Sequence, residues 1–428
     1  MNDVAPLDIA GLTAVEVLYD DHERDEPVLV GRILRDVTRS GDRLSFVYDE
    51  GWFGADGCFQ LDATLPLHAG RHFMGSEGGV DALAPAFDDC SPDRWGKMLM
   101  KRREAMRAKA EDRRIRGLRS WDYLLGSPDS ARMGALRMRD PGSGRWLDDS
   151  ALAAPPVTRL GELEAVARAV DSGRDLAAEE QVWLRQLIAP GASLGGARPK
   201  SGFAGVDGQL WLAKFPGADD EYDVGRWEFI TWQLARQAGI SMPDARLLRL
   251  SANGHTFAVR RFDRDNQGWR IHYASAMTLL NAPDSEGVSY RDIADEIGLS
   301  GAPGAIADDL EQLFRRVIFN ILVGNRDDHL RNHGFLRMEG GWRLSPAFDV
   351  NPNPHKDVHV LGIAGDDPAP DAGGALADHR HYRLTKARAG EIADQVREAV
   401  AGWRTVAKAA RAPAAEIDLM EPVIDSAR

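Results

Sequence analysis

From Leu310 to Val323, apolar residues at positions 310, 313, 314, 317, 318 and 321 recur at helical spacing, and the run stops at Gly324. A stripe of that kind has to be buried along one side of a helix. A glycine directly after it is a common stop, because it can take the left-handed conformation that ends a helix. The residues that follow, Asn325-Arg326-Asp327-Asp328-His329-Leu330-Arg331-Asn332, are almost all polar or charged. A core-anchored helix therefore hands the chain to a polar loop, a common way of positioning catalytic groups.

The spacing within that loop points to phosphoryl transfer. Asp327 and Asn332 are five apart, the separation between the base and the metal-binding Asn of a kinase catalytic loop. The residue types suit the work: a carboxylate accepts the proton of an attacking hydroxyl, and a neutral oxygen ligand nearby holds Mg²⁺. Downstream, Phe335–Met338 and Trp342–Leu344 read as a β-hairpin around Glu339-Gly340-Gly341. It delivers Asp349, the position expected for a second metal-binding Asp. Asp349 read alone would cap a turn before Pro352; the order base, Asn, hairpin, Asp favours the metal role.

Upstream, Gly191-Ala192-Ser193-Leu194-Gly195-Gly196-Ala197-Arg198-Pro199-Lys200 reads as a phosphate-covering loop. Ser193, Gly195, Gly196 and Ala197 would let backbone N–H groups approach phosphate, with Arg198 and Lys200 adding charge. Pro199 stands where a Walker A loop requires glycine before its lysine, so the loop is of another kind. Leu210–Phe215 alternates like a strand and places Lys214 among apolar neighbours, where a cation needs an anionic partner. The helix expected near 222–238 offers Glu228 as the carboxylate for Lys214, with Glu221 as a second choice. Arg260, Arg261 and Phe262, at the end of a buried strand, fall where a kinase hinge meets adenine.

Composition narrows the class. There are 53 Lys and Arg against 66 Asp and Glu, a net of −13, so most of the surface would repel a phosphate backbone. Cys58 and Cys90 are the only cysteines, too few for a disulfide scaffold or a Cys-rich metal site, which suits a reducing cytosol. No basic leader followed by an apolar run opens the sequence, and no apolar stretch approaches the ~20 residues that cross a bilayer. A soluble, cytoplasmic protein without membrane contact is expected. Near the N-terminus, Val15–Tyr19, Val28–Leu34 and Leu44–Tyr48 read as antiparallel strands. A basic segment, Arg94–Arg116, reads as a solvated helix face or a partner surface. Two helices are expected, at Leu160–Val170 and 177–188.

In this order the chain resembles the HipA family of serine/threonine kinases, the toxin halves of bacterial toxin–antitoxin pairs. The resemblance rests on Phe87-Asp88-Asp89-Cys90-Ser91-Pro92-Asp93-Arg94-Trp95, Asp122-Tyr123-Leu124-Leu125, Gly134-Ala135-Leu136, the loop 193–200, Arg261-Phe262-Asp263-Arg264, the D-x-H-x-x-N pattern at Asp327, His329 and Asn332, and Asp349. It implies an α+β fold: an N-terminal β-rich domain (1–115) with a protein-kinase-like bilobal core, whose mixed N-lobe (116–265) carries loop, lysine strand and hinge. The helical C-lobe (266–428) carries the catalytic loop.

The resemblance also implies ATP and Mg²⁺ as cofactors. Asp327 would be the base, Asn332 and Asp349 would hold the metal, Lys214 would grip the α/β-phosphates, and residues 260–262 would line the adenine site. His329 would orient the loop or touch phosphate, with Arg331 beside the nucleotide. Family members phosphorylate aminoacyl-tRNA synthetases and pair with a helix-turn-helix, HipB-like antitoxin. That antitoxin carries the pair to operator DNA, which accommodates the acidic charge. The best-known pattern silences itself by phosphorylating a serine just before the Gly-Ala-like step of the loop. Here Gly195 stands at that place and Ser193 is the nearest serine; a phosphate on Ser193 would set about two negative charges beside an ATP site. Two other readings of the residues stay open at this point: a non-catalytic, kinase-shaped corepressor, and a metal-dependent hydrolase built on His329 and His333.

Overall fold

A computed structural model describes residues 9–75, 79–147, 155–174, 176, 184, 187 and 198–425. The chain forms two compact units, one of Met1–Ala218 with Asp263–Tyr273, the other of Asp219–Phe262 with Ala274–Arg428.

The first unit is built on a five-stranded antiparallel sheet in the order Arg71–Phe73, Asp42–Tyr48, Val28–Val37, Ala14–Tyr19, Leu136–Arg139. The three alternating runs of the sequence are its middle strands. Their apolar residues meet in register, Val15 opposite Ile33 and Ile33 opposite Phe46, and all three are fully buried. The last strand lies beyond residue 115. Its Leu136 and Met138 are fully buried, so the sheet is completed from outside the segment the sequence marked as β-rich. A partner strand so distant in sequence leaves no local signal.

The basic segment forms the helix Arg94–Ala110, N-capped by Asp93, whose carboxylate accepts from Gly96 N at 2.8 Å. Trp95, Leu99 and Met100 are buried on its inner face while Lys101 is exposed. The face is not wholly solvated, because Arg102 donates to Val170 O at 3.1 Å on the expected helix Leu160–Asp171. The helix expected at 177–188 lies outside the described residues apart from Leu184 and Leu187. The lysine strand, Leu210–Lys214, pairs with Lys200–Ala204 as an antiparallel hairpin.

The second unit is mostly helical. Helix Val224–Gln237 is capped by Asp223 and followed by the hairpin Ala245–Leu248 with Thr256–Arg260. Helix Ile306–Val323 runs through the core, with Leu310, Leu313, Phe314, Val317, Ile318 and Ile321 all at or below 1% exposure. It begins a turn earlier than the apolar stripe, where Asp308 and Asp309 suit the positive end of the helix dipole. Gly324 ends it at φ 68°, and a Cβ there would strike Val423 of the C-terminal helix Ala414–Asp425. Only glycine satisfies both demands. The strands Gly334–Met338 and Gly341–Leu344 form the expected hairpin. Among the described residues, no helix is long and apolar enough to cross a membrane.

Candidate active site

The loop after Gly324 is organised around Asp328. Its carboxylate is buried, and one oxygen accepts from Asn320 Nδ2 at 2.8 Å, contacts His333 Nε2 at 2.8 Å and accepts from the Tyr290 hydroxyl. Burial alone would push this carboxyl up, but the His333 charge and hydrogen bond, with the Tyr290 hydroxyl, outweigh it and hold it below the usual range. Burial beside that carboxylate drives the Tyr290 hydroxyl well above its ordinary value. Asn325 extends the network, donating from Nδ2 to Asn320 Oδ1 at 3.1 Å. Further along, Leu330 N donates to Ser285 Oγ at 3.0 Å.

Asp327, one residue earlier, faces the other way. Its side chain is 60% exposed and carries an ion pair with Lys356. Asn332 is buried on the short turn Leu330–Asn332, and its Nδ2 lies 3.4 Å from the Asp327 carbonyl oxygen. The Asn332 side chain thus lies on the backbone of Asp327, while the Asp327 carboxylate points to solvent. His329 precedes that turn, its carbonyl accepting from Asn332 N at 2.8 Å, and its Nδ1 is buried without a partner among the described residues. Arg331 is exposed.

Asp349 has φ 56°, a left-handed conformation in which Asp is one of the tolerated residues. The chain around it is pinned. Ala347 N donates to Ser241 O at 2.8 Å, and Thr231 Oγ1 donates to Val350 O at 2.6 Å. Asn351 N donates to Asn325 Oδ1 at 3.3 Å and Asn353 N to Gly324 O at 2.9 Å, tying the segment after Asp349 to the start of the catalytic loop. Strain held by such surroundings is typical of functional positions. The ring of Phe348, next to Asp349, lies 5.2 Å from that of Phe262, so the expected adenine-site residue joins the same neighbourhood. Arg260, half-buried, donates its backbone N–H to Asp244 O, while Arg261 is buried. Glu228 is buried on helix Val224–Gln237.

By chemistry, an amide oxygen and a carboxylate are hard donors of the kind Mg²⁺ takes. Among the described residues no group of three or more His, Cys, Asp and Glu could hold a metal ion. Of the two histidines of the hydrolase reading, His333 has its Nε2 engaged by Asp328.

In the first unit, Lys214 is buried at the end of its strand, directly opposite Lys200 in the register. Lys200 departs from the expectation that it would add charge to a phosphate loop. It is 2% exposed, and its ammonium lies 2.6 Å from Asp93 Oδ2. A buried ammonium needs a carboxylate, and two like charges facing each other on adjacent strands need one of them neutralised. Arg198 is half-buried. Ser193, Gly195, Gly196 and Ala197 lie outside the described residues.

Two sequence signals turn out to serve structure. Asp263 accepts from Gly134 N at 2.9 Å and from Arg264 Nη1 at 2.6 Å, and Arg264 also donates to the carbonyls of Ser130 and Arg132. Half of the Arg261–Arg264 motif thus anchors the Gly134-Ala135-Leu136 stretch. Sequence reasoning missed Tyr290, Asn320 and Lys356. Asn320 could have been found, as the one polar residue in the otherwise apolar run Val317–Val323; Tyr290 and Lys356 come from distant segments and carry no local signal.

Residues 192–403 match the protein family described as the HipA-like C-terminal domain. Among curated proteins, "Putative kinase" of Haemophilus influenzae is 27% identical over 202 residues, covering 42% of this chain and 58% of that protein. "Putative kinase Y4dM" of Sinorhizobium fredii is 28% identical over 159 residues, 33% of this chain and 37% of that protein. The chain thus spans less than two thirds of either relative's length. "Putative kinase Y4mE" of the same organism is 26% identical over 349 residues, 75% of this chain and 74% of that protein. Among solved structures, the Shewanella oneidensis toxin–antitoxin complex of HipA, HipB and operator DNA aligns with a TM-score of 0.66. The alignment covers 96% of this chain and 95% of that one, at 17% identity. The fold is accordingly the α+β, kinase-like bilobal one that the sequence leads to expect.

Proposed function

We propose that this chain, a member of the HipA family through residues 192–403, is an ATP- and Mg²⁺-dependent serine/threonine protein kinase and the toxin of a toxin–antitoxin pair. One observation carries the reading. An exposed carboxylate, Asp327, sits on a loop fixed from below by buried Asp328, with Asn332 on its backbone and the Asp349 segment bonded to the same loop.

In this reading Asp327 receives the proton of the acceptor hydroxyl as its oxygen attacks the terminal phosphorus. Asn332 and Asp349 would hold Mg²⁺, which supplies neutralisation of the charge on the transferring group. Lys214 would meet the α/β-phosphates and pair with Glu228. Arg198 and the loop 193–197 would cover the phosphates, His329 and Arg331 would flank them, and residues 260–262 would line the adenine site. A division into a β-rich N-terminal part and a kinase-like core, with the catalytic loop in a C-terminal lobe, belongs to the same proposal, the boundary at 115 being moved past the strand Leu136–Arg139. So does a cytoplasmic location.

The partner is a HipB-like helix-turn-helix protein, supported by the presence of HipB and operator DNA with the Shewanella neighbour. A net charge of −13 favours DNA contact chiefly through that partner. The substrate is a translation protein of the aminoacyl-tRNA synthetase class. The test is transfer of label from γ-labelled ATP to proteins of a cell extract, with and without Mg²⁺. Asp327→Ala and Asp349→Ala should each abolish transfer while leaving the unfolding midpoint near that of the unsubstituted protein. Full transfer by Asp349→Ala would overturn the metal assignment, and growth arrest by Asp327→Ala would overturn the kinase as the toxic activity.

A further inference from the structure

Lys356 lies seven residues beyond Asp349, outside every motif of the catalytic loop, yet its ammonium is bonded to the carboxylate of Asp327. Its backbone is fixed at the same time. The Arg326 guanidinium donates to the Lys356 carbonyl, and Asn353 N and Asn351 N donate to Gly324 O and Asn325 Oδ1. Four successive residues of the loop, Gly324 to Asp327, are therefore each bonded to the segment 351–356. The backbone of Lys356 is held while its side chain reaches into solvent: the two side chains of the ion pair are 42% and 60% exposed.

An ion pair between side chains this exposed is weak and easily exchanged. A hydroxyl that gives its proton to Asp327 has to approach the carboxylate to ~2.6–3.2 Å and stand roughly 3–3.5 Å from the phosphorus. The transferring group then lies within about 7 Å of the carboxylate oxygen, inside the sweep of a flexible four-carbon arm rooted beside it.

We propose that Lys356 is a second cation of the phosphoryl-transfer site. It rests on the Asp327 carboxylate until the acceptor hydroxyl arrives, then turns to the oxygens of the transferring phosphoryl group. The inference depends on Asp327 being the base, as proposed above. The step balances without a covalent role for the lysine. The acceptor O–P bond forms as the bond from phosphorus to ADP breaks, the hydroxyl proton passes to Asp327, and the electron pair leaves with ADP. Lys356 keeps its three protons and meets charge that grows on oxygen in the transition state.

The experiment uses the full chain with γ-labelled ATP and Mg²⁺, reading incorporation into proteins of a cell extract for Lys356→Met, Lys356→Arg and Asp327→Ala. Lys356→Met is expected to lower kcat roughly 10- to 100-fold, in line with the loss of one preorganised charge contact, while the KM for ATP changes by less than about threefold. Lys356→Arg, which keeps the charge, should recover most of the rate. An inactive Asp327→Ala beside a fully active Lys356→Met would overturn this inference and leave the kinase reading standing. A rise in KM with kcat unchanged, or no recovery with arginine, would also overturn it. An active Asp327→Ala, or an unsubstituted protein that transfers nothing, would sink both.

Discussion

Nε2 of His333 lies 2.8 Å from Oδ2 of Asp328, both side chains are buried, and the pair fixes the floor of the loop whose outer face carries Asp327. Neighbouring aspartates thus divide the work. One is sunk among donors and holds the backbone; the other is left at the solvent face with its carboxylate paired to Lys356. A buried carboxylate of this kind is stable only while its donors remain.

Tyr290→Phe removes one of three donors to Asp328 without opening a cavity. The expected cost is about 1–2 kcal/mol of unfolding free energy, read from urea or guanidinium denaturation. Asp328→Ala should cost more, about 3 kcal/mol or above, because it strands Asn320, His333 and Tyr290 together. A Tyr290→Phe protein with unchanged stability would show that the hydroxyl carries no part of the loop.

His359 gives the fold an acid limit. It is buried, and burial pushes its ring down to about 4 from an ordinary 6.5. The folded chain then keeps the ring neutral in a range where the unfolded chain protonates it. Stability from this group is complete above pH 6.5 and is lost as pH falls towards 4, by up to about 3 kcal/mol. His359→Phe should flatten that part of the stability–pH curve relative to the unsubstituted protein, and parallel curves would refute the assignment.

The thiols should differ sharply. Cys90 is buried, and burial pushes its thiol up to about 12, so essentially no thiolate is present at neutral pH. Cys58 is partly exposed. Native protein should release one equivalent with a disulfide reagent and two after denaturation; two fast equivalents from the native state would place Cys90 at the surface.

The parts of the fold that could be read from the chain are those written in short-range pattern. The helix ending at Gly324, the hairpin before Ser345 and the strands near Val15, Ile33 and Phe46 each announce themselves by periodicity and turn residues. Asp327 and Asn332 are picked out by a spacing of five within one loop, and the Asn332 amide lies 3.4 Å from the Asp327 backbone carbonyl. What escaped the sequence came from afar. Leu136–Arg139 completes a sheet begun more than a hundred residues earlier, and Lys356 reaches Asp327 across twenty-nine positions. The two adjacent aspartates are chemically identical, and only tertiary structure shows which one is buried.

Lys200 presents the opposite case, a charge that looks functional in the sequence and is held in the interior. Its ammonium and the Asp93 carboxylate are 2.6 Å apart with both side chains nearly inaccessible, and Asp93 also caps helix Arg94–Ala110 through Gly96 N. Burial still pushes the Asp93 carboxyl above its usual range, against the pull of Lys200, which marks how much desolvation the pair carries. Removing one partner leaves the other charge buried and unpaired, so Lys200→Met should cost about 3–5 kcal/mol. Asp93→Asn keeps an oxygen for the helix cap while discharging the site. The double variant Lys200→Met/Asp93→Asn should therefore recover most of the loss, a coupling that a denaturation cycle over the four proteins measures directly. If Lys200 instead served the nucleotide, Lys200→Met would leave the unfolding midpoint in place and weaken ATP binding, and Asp93→Asn would rescue neither.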